Sequence, residues 1–272
     1  MLRLESETGW WLVTHQDHAR LAGAFAQAWG NERFLPPEPR KNVLLGIRCH
    51  DDGWAARDLE PQITREGKPS AFSTDLVGKY SAFEEIDLED YLAVRERAVR
   101  LMAEQDAYAG LLVSMHTYNL LTERADRSTI RPELAPLLDS FLATQEELQK
   151  ELLGRSRSGG FSQDETSDIR VRDHFRLLQA TDNLSLLSCV GYQQPATLPH
   201  QLPLRDGNYT QVGVEPVDER CFRLDPYPFA ESPIIVQFPA RHVEGKVFRT
   251  AADLQAKFTS APISYLNVQL TA

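Results

Sequence analysis

Apolar residues recur along the chain with two periods, and the change from one to the other divides it. The run GWWLVT, residues 9 to 14, is short, aromatic and β-branched, which predicts a strand. Thr14 and Asp17 stand three apart ahead of an Ala-rich run, a variant of the capping box. A helix is therefore expected from His15 to about Gly30, with Leu21, Ala22, Phe25 and Trp29 on its apolar face. PPEPRK interrupts the chain, and a second helix is expected from Asn42 to about Asp52, ended by Gly53. Residues 55 to 86 carry Pro, Gly and Ser punctuation and read as loop with one helical turn. Apolar spacing at the helical period predicts helices over 88–104, 107–123 and 131–153. GRSRSGGFSQDETSD, residues 154 to 168, reads as a flexible linker or mobile loop. A strongly apolar helix follows over 169–190.

After Pro195 the period shortens. FRLDPYPF, PIIVQFPARHV and ISYLNVQL are strand-like runs separated by turn residues. The strand at 9–14 has no evident neighbour in sequence, so it is expected to join them. The expected fold is mostly α within an α+β class: one unit over residues 1–272, with a helical core at 15–190. A small antiparallel β appendage would be formed by 1–14 and 200–272.

Composition narrows the class. With 272 residues, 42% hydrophobic and 25% charged, the chain reads as an ordinary globular protein. A net charge of −10 argues against nucleic acid or anionic lipid as a partner of the whole chain. No apolar run is long enough to span a membrane. The acidic opening MLRLESETGWWLV lacks the pattern of a signal peptide. Cys49, Cys189 and Cys221 are odd in number and outside any C-x-x-C, which suits reduced thiols. The expected location is cytoplasmic.

The informative chemistry lies on the apolar faces. His18 precedes Leu21, Ala22 and Phe25 by three, four and seven positions and shares their face. His50 and Asp51 follow Ile47 by three and four; His116 lies four after Leu112; Asp182 lies four after Leu178. A buried ionised carboxylate costs several kcal/mol (about 3–5 when its partner is missing) unless compensated. One buried histidine alone is more often a hydrogen-bonded core residue than a ligand, and Asp182 alone could pair with Arg48 or Arg176. Two carboxylates and three inward imidazoles together are reconciled by one or two divalent ions. Zn, Fe, Mn, Co or Ni suit such a donor set.

The order His18 … His50-Asp51 … Asp182 resembles the H…HD…D signature of the HD-domain superfamily of metal-dependent phosphohydrolases. The ATDNLSLL context of Asp182 is similar to that superfamily's closing helix. HQDHARLAG, RCHDDGW, LLVSMH, DPYPF and PIIVQFPAR further resemble segments of an uncharacterised bacterial family marked by an HDDGW motif. The resemblance implies an HD-domain-like helical bundle with His18, His50, Asp51 and Asp182 as ligands. His116 is the candidate for a further ligand. His174, eight residues before Asp182, is about 12 Å along the helix and too far to share its ion; it reads as a surface or end-of-helix residue.

The implied activity is hydrolysis of a phosphoester or nucleotide by metal-activated water, with a small phosphorylated molecule as partner. Asp52, next to the ligand pair, is the candidate to orient a histidine or take a proton. Arg57, beyond Gly53, is the candidate to grip phosphate. Two alternatives stand beside this: a di-iron oxygenase, which requires His116 as a ligand, and a non-catalytic binding or regulatory protein retaining a metal. A homodimer edge built from the C-terminal strands is compatible with either.

Overall fold

The computed structural model describes residues 1–79 and 87–272. The chain opens with a hairpin of β1 (Leu2–Glu5) and β2 (Gly9–Val13), registered Leu2 to Val13. Thr14 then starts α1 (His15–Ala28), its hydroxyl taking the Asp17 amide at 3.0 Å. Helix α2 (Arg40–Cys49) follows, and a single 3-10 turn at Asp52–Trp54 leads into the one-turn α3 (Ala55–Asp58). Asp87 caps α4 (Leu88–Gln105), and Asp106 caps α5 (Ala107–Glu123). Next come α6 (Ala135–Ser158) and α7 (Asp168–Val190), the latter closed by Gly191 at φ 61°. Strands β3 (Ala196–Thr197), β4 (Leu202–Pro203), β5 (Tyr209–Thr210), β6 (Gly213–Asp218), β7 (Cys221–Asp225) and β8 (Ile234–Glu244) follow. Helix α8 (Ala251–Ser260) and β9 (Ile263–Thr271) complete the chain.

Seven strands form one sheet in the order β1-β2-β8-β9-β7-β6-β3, curled into a half-barrel, while β4 and β5 pair separately. This corrects the expected helical bundle with a small β appendage. The sheet is a full layer of the fold, and its β7–β9 pair is parallel. Alternation along the strands turns Phe222, Leu224, Phe238, Ala240, Val268 and Leu270 to one face. That face shares a single apolar cluster with Leu21 and Phe25 of α1 and Leu178 and Leu184 of α7. Helix α7 is buried around most of its circumference, so it needs partners on both sides. Helices α1, α2 and α5 pack on it, as do β1 of the sheet and β4 of the separate pair.

Several local expectations also shift. The 9–14 strand pairs with β8, Trp10 facing Val243, yet it also has the hairpin partner β1 beside it in sequence. The segment 154–168 is helical to Ser158, and the turn after it is tied down. Arg157 donates to Thr166 Oγ1 and O, and Phe161 stacks on Tyr108 with centroids 5.1 Å apart. Helix α8 lay hidden in a strand-rich region, although Thr250 and Asp253 repeat the cap spacing that announced α1. Of the loop expected over 55–86, residues 80–86 lie outside the described residues. No helix among the described residues is long and apolar enough to cross a membrane.

Candidate metal centre

Four segments deliver the five candidate ligands to one buried place. His18 enters from the first turn of α1, on the face that carries Leu21, Ala22 and Phe25. His116 comes from α5 and Asp182 from α7. His50 and Asp51 arrive differently from expectation. Helix α2 stops at Cys49, His50 is its C-cap, and Asp51 leaves helical geometry at φ −113°, ψ 18°. Adjacent side chains on a continuous helix diverge by about 100°. The break at Asp51 is what turns both neighbours inward.

Gly53 does not end the helix through a left-handed residue. It permits close approach: a Cβ there would lie 2.3 Å from the Val94 carbonyl oxygen and 2.8 Å from the Ala98 nitrogen of α4. The segment carrying Asp51 therefore rests directly on α4.

The hydrogen bonds around the imidazoles set their tautomers. His50 Nδ1 donates to the Ile47 carbonyl at 2.7 Å, which leaves Nε2 as the atom facing the centre. His50 Nε2 is buried, without a hydrogen-bond partner, 3.3 Å from Asp182 Oδ1 and 3.9 Å from Asp51 Oδ2. The Ser185 hydroxyl donates to the Asp182 carbonyl at 2.8 Å and takes the His18 Nδ1–H at 3.0 Å. His18 Nε2 then faces Asp51 Oδ2 at 3.1 Å, and Nδ1 lies 3.6 Å from Asp182 Oδ1. His116 Nδ1 is 2.7 Å from the Gln179 amide, and its ring is 4.9 Å from that of His50. Two groups of ligand atoms lie within 4.8 Å of one another: His18, His50 and Asp51; and His50, His116 and Asp182. All five residues are buried.

Imidazole nitrogens that face carboxylates in the interior are matched either by a proton or by a metal ion, and these two groups of atoms could hold one. Burial works against charge on His50, but Asp51 and Asp182 outweigh it and hold the imidazolium up to about 9. Asp182, opposed by burial but facing His50, is held down to about 2, and Asp51, facing Arg95 and His50, well below the usual carboxylate range. Burial and the neighbouring His50 push His116 down to about 3, so it stays neutral.

Asp52 and Arg57, the two residues expected to act on substrate, belong to neither group of ligand atoms. Asp52 lies at the start of the 3-10 turn and takes a two-pronged bond from Arg20 at 2.8 and 3.1 Å. Arg57 pairs with the exposed Asp90 at 3.6 Å. His174 is buried rather than superficial, bonded to the Tyr108 hydroxyl at 2.6 Å.

The cation in contact with the centre is Arg95, which sequence reasoning missed. Its Nη1 lies 2.5 Å from Asp51 Oδ1, and its Nε donates to Tyr91 Oη at 3.2 Å. Its Cζ sits over Trp54 at 5.3 Å and over Tyr91 at 5.2 Å. The signal was present. Leu88, Leu92, Arg95, Val99 and Met102 form the buried stripe of α4, and an arginine inside such a stripe needs a partner. Next to the centre, His15 stacks on Trp54 at 4.3 Å, its backbone amide donates to the buried Asp58, and its Nδ1 lies 2.8 Å from Asp58 Oδ1 and 2.7 Å from the Met1 amino group.

The family model described as "Protein of unknown function (DUF3891)" matches residues 1–245, and the chain belongs to that family. No curated protein and no solved structure matches it.

Proposed function

We propose that this protein is a metal-dependent hydrolase of phosphoesters, nucleotides among them, with His18, His50, Asp51 and Asp182 as the ligands of a divalent ion. The observation that carries the reading is the unpartnered His50 Nε2, buried among two carboxylates and fixed in its tautomer by the Ile47 carbonyl. Donor spacing supports it. Two ligand atoms about 2.1 Å from one ion are about 3.0 Å apart at a right angle and about 3.4 Å apart at the tetrahedral angle. The separations of 3.1 and 3.3 Å across the centre lie in that interval, and the 3.9 Å between His50 Nε2 and Asp51 Oδ2 is wider. Imidazole nitrogen and carboxylate oxygen together suit Mn, Fe, Zn, Co or Ni. The H…HD…D order adds the likeness to HD-domain phosphohydrolases, here set against a large sheet rather than in a simple bundle.

Such an ion supplies Lewis-acid polarisation of a phosphoryl oxygen and a more acidic water. The chain's own residues hold and orient. Ser185 and the Ile47 carbonyl fix the rings of His18 and His50, and Arg95 holds Asp51 by one oxygen. His50 has one free nitrogen, so the two three-residue groups cannot both be filled through it. That favours one ion over a di-iron centre.

Metal analysis of the purified protein and of His50→Ala and Asp182→Ala tests this, together with a screen of generic phosphoesters with added divalent ions. One bound ion in the wild type, its loss in both variants and ion-dependent hydrolysis are expected. Wild-type metal content in either variant refutes the ligand set. Two irons favour oxidation, and a metal with no turnover favours a binding protein.

A further inference from the structure

We infer that Arg95 is the specificity-determining residue of this centre: its free guanidinium edge binds the anionic oxygens of the substrate while its other edge holds Asp51. The inference rests on the metal reading above and adds to it the residue that meets the substrate's charge.

The guanidinium is fixed before any ligand arrives. Nη1 is committed to Asp51 and Nε to Tyr91, and the rings of Trp54 and Tyr91 lie against the group. Nη2 donates no hydrogen bond among the described residues, and the side chain as a whole is 8% exposed. Nη2 shares a carbon with Nη1 and so lies one guanidinium width from the carboxylate of the centre. A planar donor held in one orientation loses little freedom on meeting an oxyanion.

The charge count points the same way. Asp51 and Asp182 contribute two negative charges, Arg95 one positive and a divalent ion two, with neutral imidazoles as ligands. The filled centre carries one unmatched positive charge in a buried setting; without Arg95 it is balanced. A neutral substrate leaves that charge uncompensated, and an oxyanion matches it. Of the other arginines near the ligand segments, Arg20 is paired with Asp52 and Arg57 with Asp90, and Arg48 lies on the exposed side of α2.

The test is titration calorimetry of inorganic phosphate into the full-length, metal-loaded protein, with metal content measured on the same samples for wild type, Arg95→Met and Arg95→Gln. The wild type should bind phosphate. Both variants should keep the ion and weaken phosphate binding by about ten- to a hundredfold, the loss of one charged hydrogen bond. Arg95→Gln keeps a polar group for Asp51 and carries the test if Arg95→Met does not fold. Wild-type phosphate affinity in a metal-loaded variant overturns the inference alone, as does a metal-loaded wild type that ignores phosphate. A wild type that holds no metal fails the underlying reading and takes the inference with it.

Discussion

Replacing Gly53 by Ala tests how the centre is assembled without presuming what it does. The backbone of Gly53 is not in the left-handed region, so Ala meets no conformational penalty there. The obstacle is space. The added methyl would stand 2.3 Å from the Val94 oxygen, 2.8 Å from the Ala98 nitrogen and 2.9 Å from the Ala98 Cβ. Two of these are backbone atoms of a helix and cannot swing aside. Restoring ordinary contact moves α4 off the 52–54 turn by about 1 Å. Overpacking of this kind costs about 1–3 kcal/mol, offset by about 0.4–1 kcal/mol from the stiffer unfolded chain. With backbone atoms in the way the upper figure applies, so the expected net loss is about 2–2.6 kcal/mol, or about 4–10 °C in Tm for a chain of this size. Thermal and urea unfolding followed by circular dichroism read it. Gly154→Ala is the control: it lies in α6, exposed, with nothing within 4 Å of the added carbon. There the same change should stabilise by about 0.5–1 kcal/mol. A Gly53→Ala protein as stable as the wild type would refute the claim that close contact with α4 seats Asp51.

Two further predictions concern protons. With no metal bound, His50 holds a proton up to about pH 9, and an ion must displace it. Affinity for Zn²⁺ or Mn²⁺, measured against a chelator, should therefore fall about tenfold per pH unit on going down from pH 9, and a flat profile would contradict the displacement. Burial, followed by the Met1 amino group, pushes His15 down to about 4; Asp58, opposed by burial but facing His15, is held below the usual carboxylate range. Between about pH 6.5 and 4 the unfolded chain takes up a proton on His15 that the fold refuses, so stability falls with pH there. The Asp58 contribution is lost at still lower pH. Asp58→Ala leaves the His15 amide and the Met1 ammonium without their acceptor and should cost about 1–3 kcal/mol by urea denaturation; a loss below about 0.5 kcal/mol would count against the network.

Local signals were legible where their cause is local. Thr14 with Asp17 announces α1, and the apolar stripes around Leu112 and Leu178 announce α5 and α7, because capping and helical spacing act over a few residues. The inward placement of His18, His116 and Asp182 follows from those stripes. His50 and Asp51 were found for a partly mistaken reason: the helix ends at Cys49, ahead of both and short of the expected stop at Gly53, and the break aims them.

The rest depends on contacts between distant parts of the chain. Trp10 pairs with Val243 and Phe222 with Leu270, and strand alternation alone does not say whether such strands form an appendage or a layer under α1 and α7. Asp52 and Arg57 looked available in sequence because Arg20 and Asp90, which occupy them, come from other elements. Arg95 reaches Asp51 across 44 positions, and only the packing of α4 against Gly53 brings them together. The amino-acid order determined which helices form and which faces carry imidazole and carboxylate, since those choices are made within a turn or two. Tertiary structure decided the sheet, the register and the cation at the centre, because each requires a long loop to close before the contact exists.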